Sequence, residues 1–112
     1  MAQMNDRYRD IIERVLQEYA AFFAAEDGVE QQLIFDRQQG HYLLVESGWQ
    51  QRRRIYGTFI HLDLIDDKVW IQHDGTEDGV AYELEAAGIP KQQIVLAFKS
   101  LERRQLTEYA VC

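Results

Sequence analysis

His61, Asp63, His73, Asp74 and Glu77 are the side chains of this 112-residue chain whose types and spacing could do chemistry. Imidazole and carboxylate groups brought together can hold a transition metal or pass a proton. His61-x-Asp63 on a β-strand would place both groups on one face, because side chains alternate along a strand. A transition-metal centre needs three or four such ligands converging at about 2.0–2.2 Å. Strand alternation sends His73 to the face opposite His61 and Asp63, and no two histidines have the i, i+4 spacing of a helical zinc motif. Neither a metal nor a cofactor is expected. The plainer reading is His61 and Asp63 as a cross-strand hydrogen-bonded pair beside Trp70.

Nucleophilic chemistry has less support. There is no Gly-x-Ser-x-Gly elbow, and Ser47 and Ser100 fall at predicted strand ends without an adjacent histidine. Gly75 and Gly79 do not make a phosphate loop, which needs a lysine and a parallel strand-to-helix context. Cys112, the single cysteine, is the last residue, has no partner, and is read as inert.

Asp74-Gly75-Thr76-Glu77 has a local explanation. Asp74 and Glu77 have capping-box spacing, with Asp in the usual Ser/Thr place, and Thr76 is the alternative N-cap. Either choice puts Glu77 and Asp78 in the first helical turn, where carboxylates complement the helix dipole. Gly75 relaxes the backbone through the corner. A strand-to-helix corner thus accounts for each of these residues without a substrate.

The elements around these residues follow from periodicity. Tyr8, Ile11, Ile12, Val15, Leu16, Tyr19, Ala20 and Phe23 recur at helical spacing, predicting an amphipathic first helix with Asn5 or Asp6 as cap and Gly28 as stop. Residues 31–38 and 41–47 read as strands joined at Gln39-Gly40, where Gly40 can take a positive φ. Gly48-Trp49 breaks that pattern. The strongest strand, 54–65, points Tyr56, Thr58, Ile60, Leu62 and Leu64 one way and Ile55, Phe59, His61, Asp63 and Ile65 the other.

Asp66-Asp67 is a turn. As a two-residue hairpin loop it pairs Ile65 with Lys68, Leu64 with Val69, Asp63 with Trp70, Leu62 with Ile71 and His61 with Gln72. Leu62, Leu64, Val69 and Ile71 then form the side a helix covers, and His61, Asp63, Trp70 and Gln72 share the other. Val80, Leu84 and Ala87 mark a short second helix ended by Gly88. Residues 94–98 form either a last strand or a helix. The expected class is α+β: an N-terminal helix, an antiparallel sheet of about four to five strands, a second short helix and a final strand or helix, in one domain spanning 1–112.

Composition limits the function. A hydrophobic content of 46% suffices for a packed core, and the formal net charge of −7 gives a field that repels phosphates. Direct nucleic-acid binding is therefore disfavoured, with Arg52–Arg54 and Arg103-Arg104 as local basic exceptions. No apolar run approaches the roughly 20 residues that span a bilayer. The first ten residues lack the apolar segment of a signal peptide, so no membrane association and a cytoplasmic location are expected.

Between Tyr42 and Val111 the sequence resembles the XisI family, the excision-controlling factors of the fdxN element. The resemblance is carried by Tyr42, Leu44, Gly48-Trp49, Tyr56-Gly57, His61, Asp63, Lys68 and Trp70-Ile71-Gln72. It continues through Asp74–Glu77, Gly79, Leu84, Gly88-Ile89-Pro90, Ile94-Val95-Leu96, Phe98, Thr107-Glu108 and Ala110-Val111. Departures fall at Asp67, where the family tends to have a turn glycine, at Ala97, and in the proline-free Lys99–Arg104 stretch.

The resemblance implies a small α+β accessory protein, itself non-catalytic. It would act with an XisH-like partner to control excision of a DNA element by a separate recombinase. It supplies no catalytic residues. The surface expected to meet a partner or ligand is Trp49, Arg54, His61, Asp63, Trp70 and Gln72, with the corner from Asp74 to Glu77. Trp and Arg are frequent interface anchors, although both tryptophans also suit a core, Trp49 equally well. The alternative is a small enzyme, or a ligand- or metal-binding protein, using His61 and Asp63. An exposed strand edge would permit a homo-oligomer unless the tail covers it.

Overall fold

A computed structural model describes residues 4–24 and 28–112, with side chains from Asp6 onward. The first helix, α1 (Met4–Phe23), buries Tyr8, Ile11, Ile12, Val15 and Leu16 on one face, as the periodicity predicts. It is already formed at Met4, upstream of the expected caps, and the Asn5 side chain lies outside the described residues. The helix ends at Phe23, well before Gly28. Gly28 instead leads into the sheet, where its carbonyl accepts from the Trp49 amide at 2.8 Å.

Five strands follow: β1 (Val29–Asp36), β2 (His41–Gln50), β3 (Arg53–Ile65), β4 (Lys68–Asp74) and β5 (Ile94–Val95). They lie in one sheet in chain order. The first four are antiparallel meander neighbours, and β5, the final strand, joins β4 in parallel. Parallel pairing requires a crossover. Here α2 (Val80–Ala86) and a single 3₁₀ turn (Lys91–Gln93) supply it. Helices α1 and α2 bury one face of the sheet, with Tyr42, Leu44, Ile60, Leu62, Val69 and Ile71 beneath them. Fully burying each such aliphatic side chain contributes about 1.5–3 kcal/mol, so this layer is the main source of stability.

β2 is longer than the hydrophobic pattern suggests. It runs through Gly48-Trp49 to Gln50, and the turn follows at Gln51-Arg52, both with positive φ. The turn at Asp66-Asp67 has the predicted two-residue length, and both aspartates adopt the left-handed conformation (φ 50° and 64°). Aspartate tolerates that region better than most residues, which explains how the turn forms without glycine.

Two bulges correct the strict alternation read from sequence. Leu44 pairs with Ile60 but Val45 pairs with Thr58, leaving Phe59 as an extra residue in β3. A bulge resets the alternation. Thr58, Tyr56 and Arg54 consequently share the face opposite Ile60 and Leu62, together with their partners Val45, Ser47 and Trp49. Phe59 packs toward the helical layer, its ring 5.1 Å from that of Phe23. The second bulge puts His73, rather than Gln72, opposite His61.

The corner before α2 is also rearranged. The helix starts at Val80, so Glu77 and Asp78 precede its first turn. Asp74 still acts as the cap from a distance. Its carboxylate accepts from the amides of Thr76 and Val80, both at 2.9 Å, and from the Thr76 hydroxyl. Gly88 ends α2 as expected: its amide bonds the Glu85 carbonyl and the Ile89 amide bonds that of Leu84, both at 3.0 Å.

The tail takes a defined path. After β5 comes α3 (Leu101–Arg104), capped by Ser100, and the chain then returns so that Ala110 bridges Val95. The Arg104 guanidinium donates to the carbonyls of Lys99, Ala97 and Val111, and Lys68 Nζ donates to the Cys112 carbonyl at 2.6 Å. One sheet edge is thereby covered. Among the described residues no strand pairs with the outer edge of β1.

Candidate functional site

The face of the sheet turned away from α1 and α2 carries the polar residues singled out by sequence. Asp36, His41, Asp63 and Trp70 are successive ladder partners across four strands and form one row. Asp63 is the centre. Its side chain is 10% exposed, and one carboxylate oxygen accepts from His41 Nδ1 at 2.7 Å and His61 Nε2 at 2.8 Å. The other accepts from Gln72 Nε2 at 3.1 Å. His41, His61 and Asp63 offer ligand atoms that all lie within 4.8 Å of one another.

The two imidazoles meet edge to face with ring centroids 6.2 Å apart. The hydrogen bond to Asp63, and next its negative charge, hold His41 above the ordinary imidazole value of 6.5. Desolvation opposes this more weakly, and Asp36 adds to it. Two imidazoles and a carboxylate so placed have the functional groups for proton transfer or for cation binding.

His61, Asp63 and Gln72 thus come together, with Trp70 beside them, though His61 and Asp63 are i, i+2 on one strand rather than a cross-strand pair. His73 is exposed and stays outside the cluster. The bulge at His61, not alternation, fixes its position. His41 is the member that sequence reasoning missed. Aligning β2 on β3 by their apolar runs would have found it, since Tyr42 opposite Leu62 puts His41 opposite Asp63.

Trp49 and Arg54 form a second group at the far end of the same face. The Arg54 guanidinium lies 5.5 Å from the ring centroids of both Trp49 and Tyr56. The rings are 58% and 73% exposed, so neither is core. Trp70 is half-buried, and Arg104 of the tail stacks over it at 5.7 Å. Asp74 is turned inward as a cap, whereas Glu77 is exposed.

On the covered side, Arg37 makes a two-pronged ion pair to the buried Glu13, at 2.8 and 2.7 Å. That hydrogen bonding is the chief reason the Arg37 guanidinium is held above its ordinary value. The pair fastens the β1–β2 loop to α1 and has no exposed acceptor to offer a ligand.

A helix-backed five-stranded sheet with one polar, aromatic open face defines a class of small α+β domain that presents a surface rather than a deep cleft. The model of the XisI protein family matches residues 1–111, and the chain belongs to that family. The match takes in α1, beyond the Tyr42–Val111 region that carries the sequence resemblance. A XisI-like protein from Anabaena variabilis ATCC 29413 has a crystal structure similar to this one, with 36% identity and a TM-score of 0.88. The similarity covers 96% of this chain and 99% of that one. The fdxN element excision controlling factor XisI from the same organism is 31% identical with a TM-score of 0.83, covering 98% and 100% of the two chains. No curated protein matches. Among the described residues no helix is long and apolar enough to cross a membrane.

Proposed function

We propose that this chain is a cytoplasmic, non-catalytic accessory protein that controls excision of a DNA element by binding a protein partner of the XisH-like type. Support for the excision role comes from the Anabaena variabilis relative described as an excision controlling factor. The observation that carries the binding mode is the Trp49–Arg54–Tyr56 group. Trp, Tyr and Arg are the residue types most enriched as interface anchors, and here they stand exposed on the sheet face turned away from α1 and α2. Arg54 contacts both rings and also donates to the Gly48 carbonyl at 3.3 Å, so the group is ordered before any partner arrives. Pre-ordering lowers the entropy lost on docking. The net charge of −7 favours a basic protein surface over direct contact with DNA.

Co-expression with an XisH-like protein and co-purification at micromolar concentration tests this reading. Wild-type chain should be retained, and Trp49→Ala should weaken the complex by about 30-fold, the effect of an anchor worth about 2 kcal/mol. Absence of any association would overturn the partner reading.

A further inference from the structure

We propose that His41, His61 and Asp63 form a binding site for one divalent transition-metal ion of the zinc class. Two imidazoles and a carboxylate are the mixed nitrogen–oxygen donor set that such ions take, whereas magnesium and calcium favour oxygen ligands throughout. The donors come from facing positions of two adjacent strands, so the sheet positions them: His41 is the ladder partner of Asp63, and His61 lies two residues along the same face. Their ligand atoms already converge within 4.8 Å.

The distances fit a small adjustment. Tetrahedral ligands at about 2.0–2.1 Å from an ion stand roughly 3.3 Å from one another. His41 Nδ1 and His61 Nε2 are 2.7 and 2.8 Å from the Asp63 oxygen, so those two spacings open by about half an ångström, while the two nitrogens, within 4.8 Å of each other, close by at most about 1.5 Å to admit the ion. Gln72 holds the second carboxylate oxygen at 3.1 Å and acts as a positioning residue, of the kind that orients metal-bound carboxylates. Access is open because the His41 side chain is half-exposed on the uncovered face, leaving room for water as a further ligand. The adjacent Asp36 and the net charge of −7 both favour a cation there.

The site stands independently of any protein partner. The full chain, stripped with a chelator, is titrated with Zn²⁺ alone by calorimetry and with Co²⁺ alone by visible absorption. One equivalent should bind, with a cobalt spectrum of low coordination number and a melting temperature that rises with Zn²⁺ concentration. His61→Ala and His41→Ala should each lose more than the roughly 10- to 100-fold that removal of an outer partner costs, and Gln72→Ala should fall in that range. Asp63→Asn keeps the side-chain volume and supplies a third ligand variant should either histidine substitution fail to fold. Cys112→Ser should bind as wild type does. The proposal is overturned if folded wild-type chain takes up no Zn²⁺. Unchanged affinity in the folded ligand variants, or loss of binding on replacing Cys112, would overturn it equally.

Discussion

Gly40 and Leu64 are joined backbone to backbone: the Leu64 amide donates to the Gly40 carbonyl at 2.8 Å. A methyl group on Gly40 would sit 2.6 Å from the Leu64 carbonyl oxygen, and its φ of +77° is itself costly for an L-residue. This contact fixes where β2 starts against the end of β3, and with it the pairing of His41 with Asp63 one step away. Gly40→Ala should therefore lose about 2–3 kcal/mol in urea denaturation, of which roughly 1–2 is the left-handed backbone cost. It should also let His41 titrate closer to 6.5 in NMR, since the Asp63 bond that raises it is loosened. A variant as stable as wild type would show that the register is set elsewhere.

Asp74 links the last residue of β4 to the first turn of α2. Its carboxylate accepts from two backbone amides and one hydroxyl, so it replaces the side-chain cap that Gly79 cannot provide. Asp74→Ala should cost about 1–2 kcal/mol, the range for loss of an N-cap. Asp74→Asn should recover only part of it, because the two carboxylate oxygens accept separately from Thr76 and from Val80 and an amide keeps one acceptor. Thermal unfolding by circular dichroism separates the two. Glu77→Ala, by contrast, should leave the melting temperature unchanged, since Glu77 is exposed and lies outside the helix.

Phe59 and Gly75 form a coupled pair at the β3 bulge. The Gly75 amide donates to the Phe59 carbonyl at 2.7 Å, and a Cβ at Gly75 would lie 2.8 Å from both that oxygen and the ring. Gly75 is therefore a site of close approach rather than a flexible corner. Phe59→Ala should cost about 2–3 kcal/mol, at or below the low end for a buried aromatic because the ring is only half-buried. Gly75→Ala should cost less in that background than in wild type, by about 0.5–1 kcal/mol, since only the carbonyl clash remains. Full additivity in a double-mutant cycle would mean that the ring contact carries no energy.

These relationships mark what was legible in the sequence and what was not. The helix face of α1 and the Asp66-Asp67 hairpin could be read because each rests on local periodicity or a local turn. The pairing from Ile65 to Leu62 followed from that turn and holds. It fails at His61, and the facing of Tyr56 and Thr58 was inverted, because a bulge is one unpaired residue that leaves no mark in a hydrophobic pattern. His41 escaped notice for a related reason. Its chemistry depends on the β2–β3 register, which is set by Gly40 against Leu64 and not by any property of His41 itself. Gly28, Glu77 and Asp78 were misplaced because helix ends answer to tertiary contacts as well as to capping residues.

Tyr109 ties the tail to α2 through a 2.6 Å hydrogen bond from its hydroxyl to the Glu85 carboxylate. Desolvation first, and the Glu85 hydrogen bond second, raise its phenol well above the ordinary 10.0. Tyr19 and Tyr42 are also raised, in both cases chiefly by burial. In the unfolded chain these phenols would ionise near 10, while in the folded chain they stay protonated above it. The stability they contribute is thus complete below pH about 10 and is lost as pH rises from there through the raised folded values. Urea melts at pH about 9 and about 11 should show this loss, and it should be smaller in Tyr109→Phe, which has one fewer raised phenol. Tyr109→Phe should be the less stable protein at the lower pH, because the Glu85 carboxylate loses its donor. An equal alkaline loss in both proteins would show that the tail has already detached before Tyr109 ionises.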